Sequence, residues 1–213
     1  MDIDRVAAAH RAYRASIPEL AGRDIRIAMD EWNYWYGPYI YGELGVQYHL
    51  KDALGVARAL HAFFRASDLY FMANYAQTVN VIGAIKTSRT AATLDTTGLV
   101  LKLYRTRFGS IPVPVTMGPP ALDVSAALTE DGTALTISVV NPTPSAQRLT
   151  LTIGSPRPSG AGTQWVITGS DPTAANVPGQ LPGVTLTEKV LPADLSRLDA
   201  GPYSVTMYRL ELR

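Results

Sequence analysis

Ile25-Arg26-Ile27-Ala28-Met29-Asp30-Glu31-Trp32-Asn33-Tyr34-Trp35-Tyr36 is the stretch from which the rest of the chain is read. Ile25, Ile27 and Met29 alternate with Arg26, Ala28 and Asp30, the period of two that a strand requires. This strand pattern, Ile25–Met29, then runs into two carboxylates, an amide, two indoles and two phenols. A carboxylate set among aromatic rings loses water and must find compensating partners. Aromatic walls with a few placed polar groups also fit a sugar, whose ring has apolar C–H faces and a polar rim. The expectation is that Glu31 does chemistry on a carbohydrate. The plainer alternative is a solvated or ion-paired carboxylate at a strand end. Alternation sends Asp30 to the side opposite Glu31, which makes Asp30 structural. Trp32 and Tyr34 read as packing residues, and Trp35 as either a pocket wall or packing.

The chain has 213 residues, enough for one ordinary domain or two small ones. Hydrophobic residues make up 46%, which permits a sizeable core. A net charge of +1 argues against a surface built to grip nucleic acid. The absence of cysteine excludes disulfides, thiolate metal sites and a cysteine nucleophile, and leaves the compartment open. Met1-Asp2-Ile3-Asp4-Arg5 lacks the basic start and apolar run of a signal peptide. No stretch approaches the roughly 20 apolar residues of a membrane span. A soluble, cytoplasmic protein with neither nucleic acid nor membrane as partner is the expectation. His10, His49 and His61 share no i, i+4 pair and no ligand cluster, so they read as surface or satisfied core histidines. No metal or cofactor is expected. No nucleophile elbow supports Ser-His-Asp catalysis. Gly42-Glu43-Leu44-Gly45 is not a phosphate loop.

Along the chain, Asp2 or Asp4 caps a first helix, with Val6, Ala9, His10 and Tyr13 on one face until Pro18. After the Ile25–Met29 strand and a Gly/Pro loop, a second helix is expected over Val46–Ala66. Its apolar face is Val46, Leu50, Ala53, Leu54, Ala57, Leu60 and Phe64. A strand Leu69–Ala73 follows, then a short helical or irregular segment Thr78–Ile85. A third helix, Thr97–Phe108, has Asp95 or Thr96 as cap and Gly109 after its end. Its Lys102, Arg105 and Arg107 read as a solvated basic face. Ile111-Pro112-Val113-Pro114-Val115 is a linker or edge strand. Beyond it, strand patterns Ala121–Leu128, Ala134–Val140, Gln147–Ile153, Gln164–Thr168, Val184–Val190 and Ser204–Leu212 alternate with turns and point to a β-sandwich. Only two clear strands precede it, too few for a parallel sheet covered on both faces.

Ile27 to Tyr36 resembles the nucleophile segment of the family 51 glycoside hydrolases, the retaining α-L-arabinofuranosidases. Met72-Ala73-Asn74-Tyr75-Ala76-Gln77-Thr78-Val79-Asn80-Val81-Ile82 resembles that family's segment on the following barrel strand, and the 46 residues from Glu31 to Gln77 suit one strand–helix–strand step. Pro202-Tyr203-Ser204-Val205-Thr206-Met207 is similar to the last strand of the family's C-terminal sandwich. The resemblance implies an α/β plus all-β chain: the C-terminal portion of a (β/α)8 barrel followed by a jelly-roll-like β-sandwich. Residues 1–110 would run from the sixth to the eighth barrel helix, and 111–213 would be the sandwich. It implies double displacement: one carboxylate attacks the anomeric carbon, and a second, roughly 5 Å away, acts as acid and then base. Glu31 would be the nucleophile, Trp35 a wall of the sugar pocket and Gln77 a partner of a sugar hydroxyl, with Asn74 a weaker candidate. The implied partners are arabinofuranosyl-containing oligosaccharides of hemicellulose, and a homo-oligomer for a full-length enzyme.

The chain departs from the family in one respect. The family's acid/base glutamate follows an asparagine on the fourth strand, and no Asn-Glu pair occurs here. Glu19, Glu43, Glu130, Glu188 and Glu211 are no substitutes by position. A whole barrel takes about 250 residues. The chain is therefore expected to be inactive alone. The alternative is a non-catalytic carbohydrate- or protein-binding β-sandwich module, for which Trp165, Tyr203 and Tyr208 are the exposed-aromatic candidates. A truncated barrel would also expose strand edges and the apolar face of Val46–Ala66.

Overall fold

The computed structural model describes residues 2–41, 45–116, 121–154, 158–191 and 197–213. Met1 and most of the Gly42–Gly45 turn, Glu43 included, lie outside the described residues.

Helix α1 (Asp2–Ser16) has Asp2 and Asp4 in its first turn and Arg14 in its last, the charge order its dipole favours. Its inward stripe is Ile3 and Ala7, while Tyr13 on the expected face is 68% exposed. The stripe is set by what α1 meets: Ala59, Ala62 and Phe63 of helix α2 (Leu50–Arg65). Strand β1 (Ile27–Trp32) pairs in parallel with β2 (Tyr70–Tyr75), and α2 connects them.

Both strands begin later than the Ile25–Met29 and Leu69–Ala73 patterns, at Ile27 and Tyr70, and run on to Trp32 and Tyr75. The pairing passes from Met29↔Ala73 to Trp32↔Tyr75 with a register shift between, so Asp30 and Glu31 are consecutive and both exposed. The alternation that placed Asp30 opposite Glu31 fails at this irregularity.

Helix α2 begins at Leu50, not Val46. His49 stands at its N-cap and Asp52 closes the first turn from N3: the His49 backbone N–H donates to Asp52 Oδ2 at 2.7 Å. Val46 and Tyr48 are fully buried in the extended backbone ahead of the helix, in a cluster with Ile82. Val46 matched the helical spacing only because it stands four residues before Leu50. The apolar face expected to be exposed is covered. Leu50, Ala53, Leu54, Val56 and Ala57 share a core with the next helix and the sandwich, while Ala59, Ala62 and Phe63 face α1 and β2.

Thr78 to Ala84 is irregular and leads into a hairpin absent from the sequence reading, β3 (Ile85–Thr87) with β4 (Ala92–Leu94). Helix α3 (Thr96–Arg107) follows, capped by Asp95, whose carboxylate accepts from Thr96 N at 2.7 Å. Gly98 lets α3 approach the hairpin, since a Cβ there would lie 2.3 Å from the Ala84 carbonyl oxygen.

The rest is all-β: β5 (Ile111–Val113), β6 (Asp123–Leu128), β7 (Ala134–Asn141), β8 (Gln147–Thr150), β9 (Pro158–Gly169), β10 (Val184–Leu191), β11 (Arg197–Ala200) and β12 (Ser204–Leu212). Six of them form an antiparallel sheet in the order β10-β9-β12-β7-β6-β5, and β8 pairs with β11. The Ile111 segment is thus an edge strand, where a proline costs no ladder bond. One face of the large sheet, through Val140, Trp165, Ile167, Val205 and Met207, packs on α2 and α3. The other, through Ala126, Ile137, Val139 and Leu210, packs on Leu149, Leu198 and Ala200 of the small sheet. All eight residues of β7 are consequently buried. Trp165 and Tyr208, read as exposed aromatics, belong to these cores, and Tyr203 is half-buried. The class is α/β followed by all-β, as expected. Among the described residues, no helix is long and apolar enough to cross a membrane.

Candidate active site

Glu31 lies one residue before the last pair of the β1–β2 ladder, Trp32↔Tyr75, and Gln77 lies two residues after it. Parallel pairing therefore brings both to the C-terminal end of two neighbouring strands. Glu31, Trp35, Gln77, Asn74 and Asp30 are all exposed there, Trp35 at 57%. Glu31 is exposed and is not enclosed by the aromatic side chains of its own stretch. Trp32 is packing: its ring meets Phe63 and Tyr75 edge-on, each at 5.3 Å between centroids. Such pairs contribute about 0.5–1.5 kcal/mol each beyond burial. Tyr34 lies against α2 at Gly55, where a Cβ would fall on its hydroxyl.

Beneath this end lies a polar framework. The Asn33 side-chain nitrogen lies 2.6 Å from Ala76 O, 2.7 Å from Ile82 O and 2.9 Å from Tyr48 Oη, so its two N–H groups are shared among three acceptors. The Asn33 side-chain oxygen accepts from Tyr34 N at 2.7 Å. Tyr48 Oη donates to Tyr34 O at 2.6 Å, and burial pushes its phenol well up. Tyr36 Oη donates to the capping carboxylate of Asp52 at 2.6 Å; burial, then Asp52, raises that phenol too. Deeper still, Lys86 Nζ donates to Val81 O at 2.9 Å, sits 3.9 Å from Asp95 and lies over the Tyr48 ring at 5.1 Å. Burial lowers Lys86 and pushes the Asp95 carboxyl up to about 7. Only Asp95 was singled out by sequence, as a cap. Asn33 stood in the opening stretch without a role, and no spacing rule reaches from it to Ile82.

A second network ties α2 and α3 to the sandwich. His61, fully buried, has Nδ1 at 2.8 Å from Asp123 Oδ1 and Nε2 at 2.7 Å from Tyr104 Oη, which is 2.5 Å from Ser138 Oγ. One orientation satisfies every atom: Ser138 donates to Tyr104, Tyr104 to Nε2, and Nδ1–H to Asp123. Burial lowers His61. Burial pushes Asp123 up, but hydrogen bonds from His61 and Arg65 outweigh it and hold the carboxyl below the usual range. His61 is the satisfied core histidine expected of it. Arg107, expected to be solvated, lies over the Trp165 ring at 5.0 Å, and Trp165 Nε1 donates to Glu188 Oε2 at 2.5 Å. Among the described residues, no three His, Asp or Glu side chains converge where a metal could sit.

A profile of the alpha-L-arabinofuranosidase C-terminal domain family matches residues 30–204. The probable alpha-L-arabinofuranosidase C of Aspergillus flavus is 31% identical over 206 residues, covering 87% of this chain and 39% of its own length. Among solved structures, the alpha-L-arabinofuranosidase of Thermotoga maritima in its arabinose complex is 25% identical with a TM-score of 0.82, over 98% of this chain and 48% of that one. The GH51 enzyme of Thermotoga petrophila is 24% identical with a TM-score of 0.82, over 97% and 47%, a likeness of fold. The chain thus spans about two fifths of the curated relative, 39%, and about half of the solved chains, 48% and 47%.

Proposed function

We propose, because the chain belongs to the alpha-L-arabinofuranosidase C-terminal domain family, that its strand-end carboxylate and amide form one half of a retaining arabinofuranosidase site. Glu31 is the nucleophile: it attacks the anomeric carbon and forms a glycosyl-enzyme. Trp35 is a wall for the apolar face of the sugar, and Gln77 hydrogen-bonds a sugar hydroxyl. The substrates are terminal arabinofuranosyl groups on hemicellulose oligosaccharides. The observation that supports this reading is the parallel pairing of β1 and β2, which brings Glu31 and Gln77, both exposed, to one end of two adjacent strands, with exposed Trp35 four residues after Glu31.

In this reading no glutamate among the described residues of the sandwich serves as the general acid/base. Glu188 receives the Trp165 indole N–H, Glu211 pairs with Arg209 at 2.8 Å, and both stand in the sandwich. On the same reading residues 1–213 complete no double displacement by themselves. In this reading residues 1–110 contribute barrel wall and residues 111–213 the sandwich, in a cytoplasmic enzyme that forms homo-oligomers when whole.

The test is complementation. The chain alone is assayed on an aryl α-L-arabinofuranoside, then together with the preceding barrel portion of a family relative. No turnover is expected alone, and turnover in the complex. Glu31→Ala should abolish it, and azide should restore it as glycosyl azide of inverted configuration. Undiminished turnover by the Glu31→Ala complex would sink the nucleophile assignment.

A further inference from the structure

We propose that Asn33 is a positioning residue, the amide that fixes the Gln77 side of the site against the Glu31 and Trp35 side. The inference rests on the sugar-site reading above and adds to it the device that sets the spacing within the site.

The segment after β1 carries Trp35, and the segment after β2 carries Gln77. Asn33 lies in the first and holds the second. Its amide group reaches Ala76 O, the carbonyl joined to the Gln77 nitrogen, at 2.6 Å, and Ile82 O at 2.7 Å, so it grips both ends of the 76–82 turn. Its oxygen accepts Tyr34 N at 2.7 Å, the residue before Trp35. Tyr48, with no exposed surface, completes the loop: its hydroxyl lies 2.9 Å from the Asn33 nitrogen, whose two N–H groups it shares with the two carbonyls, and it donates to Tyr34 O at 2.6 Å. One neutral side chain with two donors and one acceptor thus connects both segments. Aspartate lacks the donors and would set a charge against two carbonyl oxygens; leucine has the shape without the bonds. Charge neutrality suits a position two residues from Glu31, whose reactivity a fixed cation would alter.

The test is a titration of the whole chain with an α-linked arabinofuranosyl trisaccharide, followed by NMR at the Trp35 indole and the Gln77 side-chain amide. In the wild type both signals move with one Kd. Asn33→Asp should shift the Gln77 signals in the sugar-free protein, leave amides of β7 and β12 in place, and weaken binding by about tenfold or more, the scale of a small misplacement of a site group. Tyr48→Phe, which keeps the buried ring and removes the hydroxyl, should weaken binding several-fold and carries the test if Asn33→Asp does not fold. Unchanged Gln77 resonances and unchanged Kd in either folded variant, whatever its melting temperature, would overturn the positioning role and leave the sugar site standing. Absence of any wild-type response to the sugar would overturn both.

Discussion

Tyr104→Phe removes one oxygen from the middle of the Ser138–Tyr104–His61–Asp123 chain and leaves the shape of the core unchanged. The ring keeps its neighbours, Phe64 at 6.0 Å and Phe108 at 5.4 Å. What is lost is the donor to His61 Nε2, 2.7 Å away, and the acceptor for Ser138 Oγ, 2.5 Å away. His61 and Ser138 are both fully buried, so water does not take the place of the phenol. Leaving a buried polar group unsatisfied costs about 1–3 kcal/mol, which for two groups gives a loss of about 3 kcal/mol. In a chain of this length that lowers the melting temperature by roughly 6–12 °C. Differential scanning calorimetry at neutral pH measures it. Adding Ser138→Ala should then cost little more, because its partner is already gone; the two effects should fall short of additivity by about 0.5–3 kcal/mol. A Tyr104→Phe melt within about 2 °C of wild type would refute the argument.

Three further substitutions test the buried charges and the close backbone approaches. Burial lowers His61, so its contribution to stability is complete above the unfolded value near 6.5 and is lost as pH falls through the lower folded value. Asp95 runs the other way: burial raises it to about 7, so its contribution is complete below about 3.9 and is lost as pH rises through 7. Urea midpoints across this range should therefore fall more steeply toward acid in Asp95→Asn than in wild type, and parallel profiles would contradict the assignment. Gly98→Ala should destabilise by about 1–3 kcal/mol although alanine is the better helix former, because its Cβ would lie 2.3 Å from a backbone oxygen. Gly132→Ala, in open space at φ +69°, should cost only about 1–2 kcal/mol of backbone strain. Equal urea midpoints for Gly98→Ala and wild type would show that α3 moves freely off the hairpin.

The elements legible in the sequence were those whose burial follows one period. Helix α3 was found with its cap because Asp95 and Gly109 bracket it, and six strands of the sandwich because turns separate them. Helix α2 was found but begun too early. Its cap is a histidine, which no capping rule favours, and Val46 happens to fall on the helical register. The β3–β4 hairpin was missed because its inward residue is Lys86, whose burial depends on Asp95, Val81 and Tyr48 from elsewhere in the chain. Strand β11 was missed because Arg197-Leu198-Asp199-Ala200 shows only two inward positions. At the candidate site, Glu31 stands out as a carboxylate among aromatics at the end of a strand pattern, whereas Gln77 stands out mainly through the family resemblance. The Asn33–Tyr48 framework is not legible, since its bonds between segments span 14 to 49 residues.

The eight buried residues of β7 bear on how this protein could be cut and transplanted. A strand roofed on one side by helices and on the other by a second sheet has no solvent side to which a polar surface could be fitted. Severing the chain near residue 110 would bare Val140, Trp165, Ile167, Val205 and Met207 on one product and Leu50, Leu54, Val100 and Leu103 on the other. Neither product would be a soluble building block. A chimera with a different sandwich would have to carry α2 and α3 along with it, so the natural seam for recombination lies on the far side of those helices.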